Sequence, residues 1–208
     1  MGSRVVTQAL DRLRAQDDAL DVWRAAVDLA ATAVPEGVWP SLREKDPHSD
    51  APVAAAWLAE AFRATPLPAN ATALWFGLYE LDGGVIDLQD GSQRAVGEAA
   101  IQVTASATYP SEEWLFDRSW VAPGWLPAPG LQSLNRLVAA ASNNAYWLTS
   151  YALVLSYSAA LIGAVLDQQA FAGMSKNMGI ACGFPDGDVA LLGVFRDRVL
   201  TRDTSGWI

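Results

Sequence analysis

From Val5 to Val34 apolar side chains return every three or four positions. Leu10, Leu13, Val22, Trp23, Ala26, Val27 and Ala30 form the series, with Asp and Arg between them. That period predicts helix. Asp17-Asp18 marks a bend or a second start, and Pro35-Glu36-Gly37 marks an end. The stretch from Val38 to Asp50, with Pro40 and Pro47, reads as loop. Asp50 then reads as an N-cap with Pro52 in the first turn of a further helix. Its expected inner face is Val53, Trp57, Leu58, Ala61 and Phe62, and Thr65-Pro66-Leu67-Pro68 closes it.

The period then changes to two. Leu74, Phe76 and Leu78 alternate with Trp75, Gly77 and Tyr79, and Glu80 and Asp82 continue the first series. This predicts a strand that is buried at its start and wetter at its end. Asp82-Gly83-Gly84 reads as a hairpin turn, Val85 to Gln89 as the returning strand, and Asp90-Gly91 as a second turn. Ile101, Val103, Ala105 and Ala107 alternate with Gln102, Thr104, Ser106 and Thr108, as in an antiparallel strand over a core. Glu113 to Asp117 is a candidate fourth strand, and Pro123 to Gly130 is a loop. Two helices follow, at Leu131 to Ala141 and Ala145 to Asp167. Met178 to Phe184 and Val189 to Phe195 end the pattern as a hairpin. Helices, meander, helices and hairpin together predict an α+β fold with a mainly antiparallel sheet. The chain reads as one domain, mostly helical over residues 1–70.

Leu137 to Leu166 carries no charged side chain, a run long enough to span a bilayer. Several Ser, Thr and Asn residues interrupt it, no Lys/Arg cluster flanks it, and Asn143-Asn144 looks like a break. The helix after that break has one face of small residues: Ala145, Thr149, Ala152, Ser156, Ala159 and Gly163. A helix apolar nearly all round is expected at the centre of a core, with the small face allowing close approach. A membrane-associated protein using 137–166 is the alternative.

Charge changes the picture. The 14 basic and 23 acidic residues give a net of -9, and Lys and Arg nowhere cluster as a nucleic-acid binder requires. The single cysteine, Cys182, excludes an internal disulfide and points to a reducing cytosol. It lies in an apolar strand-like run and reads as a buried structural thiol. The single histidine, His48, lies in Asp46-Pro47-His48-Ser49-Asp50 and reads as a solvated loop residue. With these two alone, neither a Cys/His zinc site nor an ordinary triad is easily assembled. There is no dinucleotide fingerprint, phosphate-binding loop, Gly-x-Ser-x-Gly elbow or zinc-protease motif, and Met1-Gly2-Ser3-Arg4 opens no apolar leader. No cofactor is expected.

Three features remain as candidate sites. Between Thr72 and Arg118 eight acids stand against two bases, which is -6 of the net -9. Glu80, Asp82, Asp87 and Asp90 are expected at the two ends of one hairpin, as a docking face for a basic partner. Of nine tryptophans, Trp114, Trp120 and Trp125 lie in or beside the Pro/Gly-rich loop, where aromatic anchors serve recognition. Asp186-Gly187-Asp188 is a weak candidate for a divalent metal and an equally good hairpin turn.

Trp75-Phe76-Gly77-Leu78, the helical run from Tyr151 to Leu161, and Gly183-Phe184-Pro185-Asp186-Gly187-Asp188 resemble features of small acidic bacterial proteins. Some of those are similar to immunity proteins of toxin systems. The resemblance implies a class of role and carries over no functional residue. The expectation is a non-catalytic cytosolic protein-binding module of the immunity-inhibitor kind. It would dock a basic or catalytic protein through an acidic, Trp-bearing surface. A carboxylate enzyme using a divalent metal at Asp186 and Asp188 stays open beside it.

Overall fold

The computed structural model describes residues 18–34, 39–88, 91–109, 118–141, 149–167, 177–185, 189–196 and 199–201. The candidate strand at Glu113 to Asp117, the helix before Asp18 and the Asp186-Gly187-Asp188 turn lie outside them.

Three helices come first. α1 is Ala19–Ala33, and Asp18 caps it by accepting the Leu20 and Asp21 N–H groups. Val22, Trp23, Ala26, Val27 and Ala30 face inward as their period requires. The segment expected as loop contains a short helix, α2 (Trp39–Arg43), because Trp39 and Leu42 both find the core. α3 is Pro47–Ala64. Its N-cap is Asp46, whose Oδ1 accepts the His48 N–H, with Pro47 at the first helical position. The helix therefore starts one turn before Asp50. Its inner face is Ala51, Ala54, Ala55, Leu58 and Ala61, while Val53 is 46% exposed.

The sheet has six strands in the order β3-β2-β1-β4-β5-β6. These are β1 (Ala73–Asp87), β2 (Gln93–Ser106), β3 (Trp120–Val121), β4 (Met178–Gly183), β5 (Val189–Arg196) and β6 (Val199–Thr201). Every pairing is antiparallel except β1 with β4, which run parallel from Ala73↔Gly179 to Gly77↔Gly183. A parallel neighbour needs a long crossover. The chain between β2 and β4 supplies it, through α4 (Pro129–Ala141), a π-helical turn (Thr149–Leu153) and α5 (Val154–Asp167). The fold is α+β, with helices preceding a mixed, mainly antiparallel sheet.

The hairpin at Asp82-Gly83-Gly84 is corrected by the structure. β1 runs through it as one strand, with a register shift between Asp82 and Val85. Asp82 Oδ1 accepts the Gly84 N–H at 3.0 Å, and Gly84 takes a φ of 82°. A Cβ on Gly83 would lie 2.6 Å from the Val96 carbonyl oxygen, so the chain presses flat against β2 rather than turning back. This is a β-bulge. Reversal comes at the other glycine turn, where Leu88 N–H reaches the Ser92 carbonyl at 2.8 Å and Gly91 takes a φ of 78°.

α5 fills the centre. Every residue from Ala152 to Ile162 is buried. α1 and α3 both pack on it, and α3 does so with an inner face made mostly of alanines; Gly163 permits no close approach there, since a Cβ on it would meet nothing within 4 Å. Among the described residues no helix is long and apolar enough to cross a membrane. Leu74, Phe76 and Leu78 enter the main core from β1, whereas Trp75 and Ala73 join Ala181 and Val189 in a smaller cluster. Cys182 belongs to the main core.

That thiol has an alkaline consequence. Burial pushes Cys182 from 9.0 up to about 12. Between those values the unfolded chain loses a proton that the folded chain keeps. Stability therefore falls as pH rises through that window, by about 1.4 kcal/mol per unit. Replacing Cys182 by Ala is expected to flatten the curve of unfolding free energy between pH 9 and 12 by that slope. Urea titrations of both proteins across the window would show it; parallel curves would refute it.

Candidate functional site

Beyond Gly77 β1 has no described strand on its outer edge, because β4 stops there. β3 pairs with β2 only at Thr104 and Ala105, and Leu126 adds one bridge at Ile101. The rest of β1 and β2 is a two-stranded ribbon that extends past the sheet, and Val85 on it is 59% exposed.

Pairing places the acids. Glu80 stands opposite Ala99, Asp82 opposite Gly97 and Asp87 opposite Gln93. Paired residues share a face, and these three β2 positions alternate on one face of a continuous strand. Glu80, Asp82 and Asp87 therefore share one face of the ribbon. Simple alternation would set Asp87 against the other two. The extra residue of the bulge brings it back. All three are exposed. Asp82 holds the Gly84 N–H, and Asp87 accepts from Gln93 Nε2 at 3.0 Å. Both donors are neutral and cancel no charge. The Glu80 side chain lies over the bare Cα of Gly97.

α4 braces this ribbon. Asn135 Nδ2 donates to the Gly97 carbonyl at 3.1 Å, and Arg94 Nη1 donates to the Ala139 carbonyl at 3.0 Å. Arg136 donates to the Gly83 carbonyl and lies 3.3 Å from Glu98.

The tryptophans divide. Trp120 is buried, with its Nε1–H on the Thr65 carbonyl at 2.9 Å and its ring 5.6 Å from Phe62. It fastens the loop to the end of α3 and presents nothing to a partner. Trp125 is 39% exposed and meets Tyr79 edge-on at 5.5 Å. Tyr79 pairs with Ala100, so this aromatic pair lies on the face opposite the acids. Arg118 donates to the Tyr79 hydroxyl at 3.0 Å and sits over the Trp75 ring. The expected acidic, Trp-bearing surface is thus two faces of one ribbon. Asp90 and Trp114 lie outside the described residues, as do Asp186 and Asp188. Among the described residues no three Cys, His, Asp or Glu side chains gather as metal ligands.

A second polar node was not foreseen. Asp50, expected as a cap, is buried inside the first turn of α3. Its Oδ2 accepts the Gly130 N–H at 2.8 Å and the Tyr157 hydroxyl at 3.1 Å, joining α3, α4 and α5. Burial, and next the charge of Asp50, drive the Tyr157 phenol far above its ordinary range. Lys45 lies beside this node and donates to Ser133 Oγ at 2.7 Å; Ser133 in turn donates to the Gly130 carbonyl at 2.9 Å. Burial holds the Lys45 ammonium below the ordinary lysine value, against the opposing pull of Asp50. The available signal was Asp46-Pro47, which suits a cap better than Asp50-Ala51-Pro52 because it puts proline first in the helix.

The chain matches no family model, no curated protein and no solved structure.

The ribbon and the Asp50 node are therefore read on their geometry alone. They meet successive parts of α4, which contributes Gly130 and Ser133 to one and Asn135, Arg136 and the Ala139 carbonyl to the other.

Proposed function

We propose that the chain is a protein-binding module that docks a basic partner through the β1–β2 ribbon. The observation supporting this is the bulge that sets Glu80, Asp82 and Asp87 on one face. Aspartate is disfavoured within strands, and a row of like charges repels itself. The ribbon carries both costs on a surface that α4 braces through the Gly97 and Gly83 carbonyls. A partner with a basic cleft would take the ribbon edge-on, meeting carboxylates on one wall and Trp125 with Tyr79 on the other. A cleft built for phosphates fits that description, so an immunity-type inhibitor of a nucleic-acid-cutting or phosphate-handling toxin is the finer form of the reading. A cytoplasmic location is part of this reading, in keeping with a chain that has a single cysteine.

The test uses the whole chain as bait in extracts of its native host, followed by association kinetics with the captured partner. A variant carrying Glu80→Gln, Asp82→Asn and Asp87→Asn keeps the local hydrogen-bond acceptors and removes three charges. Its association rate at low salt is expected to fall on the order of tenfold, with a flatter salt dependence. Equal rates and equal salt slopes for the two proteins would remove the ribbon from the account.

A further inference from the structure

Scarce imidazole and thiol groups argue against the commonest nucleophilic chemistry, yet a serine paired with a lysine needs neither. We propose that Ser133 and Lys45 form such a pair, competent to open an activated ester or similar acyl compound. This goes beyond the ribbon and does not depend on it.

Three observations carry the inference. Lys45 Nζ and Ser133 Oγ are 2.7 Å apart, within reach for direct proton transfer. The residues are 88 positions apart in sequence, so the contact is made by the tertiary fold, which sets the link between α2 and α3 against the N-terminal half of α4. Neither residue is sealed in the core: both are half-buried. The third member is Asp50. Its carboxylate is fixed by the Gly130 N–H and the Tyr157 hydroxyl, and its charge acts on Lys45. It is a positioning residue that would stabilise the ammonium formed during reaction, as the buried acid of a triad does. Partial burial of Lys45 favours the neutral amine that the role of base requires.

The chemistry balances without a cofactor. In the resting arrangement Lys45 donates to Ser133 Oγ, whose own hydrogen points to the Gly130 carbonyl. Once the amine has lost a proton to solvent, the hydroxyl hydrogen swings to Nζ. Oγ bonds to the acyl carbon, Nζ takes the proton, and the carbonyl oxygen becomes the oxyanion of the tetrahedral intermediate. Collapse breaks the bond to the leaving group, which departs with the proton from Nζ. Water then adds to the acyl carbon as neutral Nζ takes its proton; the C–Oγ bond breaks, Nζ returns that proton to Ser133 Oγ, and the carboxylic acid leaves.

The intact protein is treated with a fluorophosphonate, which transfers its phosphonyl group to an activated serine with loss of fluoride. The adduct is located by mass spectrometry. The expected result is a single adduct on Ser133, absent in Ser133→Ala, with a labelling rate that rises with pH as Lys45 is deprotonated. Lys45→Met is expected to slow labelling on the order of 100-fold. Lys45→Arg retains a charged donor but no base, and is expected to slow it as much. Near-ultraviolet circular dichroism identifies any variant that has lost its fold, and the arginine variant then decides. No adduct on Ser133 in the unaltered protein, or equal labelling of a folded Lys45→Arg protein, overturns the proposal.

Discussion

Replacing Trp23 by Ala is expected to destabilise the protein by about 3–5 kcal/mol, the largest loss anticipated from a single truncation in this core. Trp23 is completely buried on α1, and its ring meets Tyr157 of α5 in an edge-to-face arrangement at 5.0 Å. The indole Nε1–H donates to the Leu42 carbonyl at 2.9 Å, which ties α2 to the same point. Truncation therefore does three things. It opens a cavity against the central helix, removes an aromatic pair and strips the Leu42 carbonyl of its donor. Domains of this size hold only about 5–15 kcal/mol in total, so the loss removes a large share. Trp23→Phe separates the contributions, since it keeps most of the ring and abolishes the hydrogen bond. Its expected cost is about 1–3 kcal/mol. The measurement is the urea midpoint at constant slope. A Trp23→Ala protein that unfolds within 1.5 kcal/mol of the parent, on the order of a single hydrogen bond, would mean that α1 is not anchored as described.

Trp23 also shows what the residue pattern makes legible. Its neighbours Val22, Ala26, Val27 and Ala30 recur at helical spacing, and all of them are buried. The same holds for the alternation of Leu74, Phe76 and Leu78, where burial on one face imposes the period, and for the helix at the centre, whose uncharged run reflects burial all round. Legibility fails where two local signals are equal and a distant contact chooses. Asp82-Gly83-Gly84 and Asp90-Gly91 are both good turns, and pairing with Val96 to Glu98 makes the first a bulge. That choice regroups the site. It moves Asp87 to the face of Glu80 and Asp82, while Trp125 goes to the other face and Trp120 into the core. Asp46-Pro47 and Asp50-Ala51-Pro52 are likewise competing caps. The loser, Asp50, becomes available inside the fold because Gly130 and Tyr157, far along the chain, arrive to hold it. The contact of Lys45 with Ser133 has the same origin and leaves no periodic trace. The parallel pairing of β1 with β4 is also invisible to alternation, which reports a strand's faces but not its neighbours.

Removing the Asp50 carboxylate is expected to cost nearly as much as removing Trp23. Asp50→Ala leaves the Gly130 N–H and the Tyr157 hydroxyl without their acceptor inside a core, and Lys45 without its nearby countercharge. Taking one partner out of a buried charged arrangement costs about 3–5 kcal/mol, more than the arrangement contributes, because the remaining groups stay desolvated. Tyr157→Phe removes a single hydrogen bond to a charged acceptor that keeps its second donor, and is expected to cost about 1.5–3 kcal/mol. The two effects share one contact, so the double variant should fall short of their sum by about 0.5–3 kcal/mol. Additivity within 0.3 kcal/mol, the range of independent sites, would show that Asp50 and Tyr157 do not act together. Hydrogen exchange adds the link to the ribbon. α4 is held at Gly130 by Asp50 and braces the ribbon further along through Asn135 and Arg136. If that helix transmits the loss, amides of β1 and β2 beyond Gly77 should exchange faster in Asp50→Ala than global destabilisation alone requires. A ribbon whose protection falls only in step with the whole protein would instead place Asp50 in the helical layer alone, with Arg94, Asn135 and Arg136 sufficient to hold the arm.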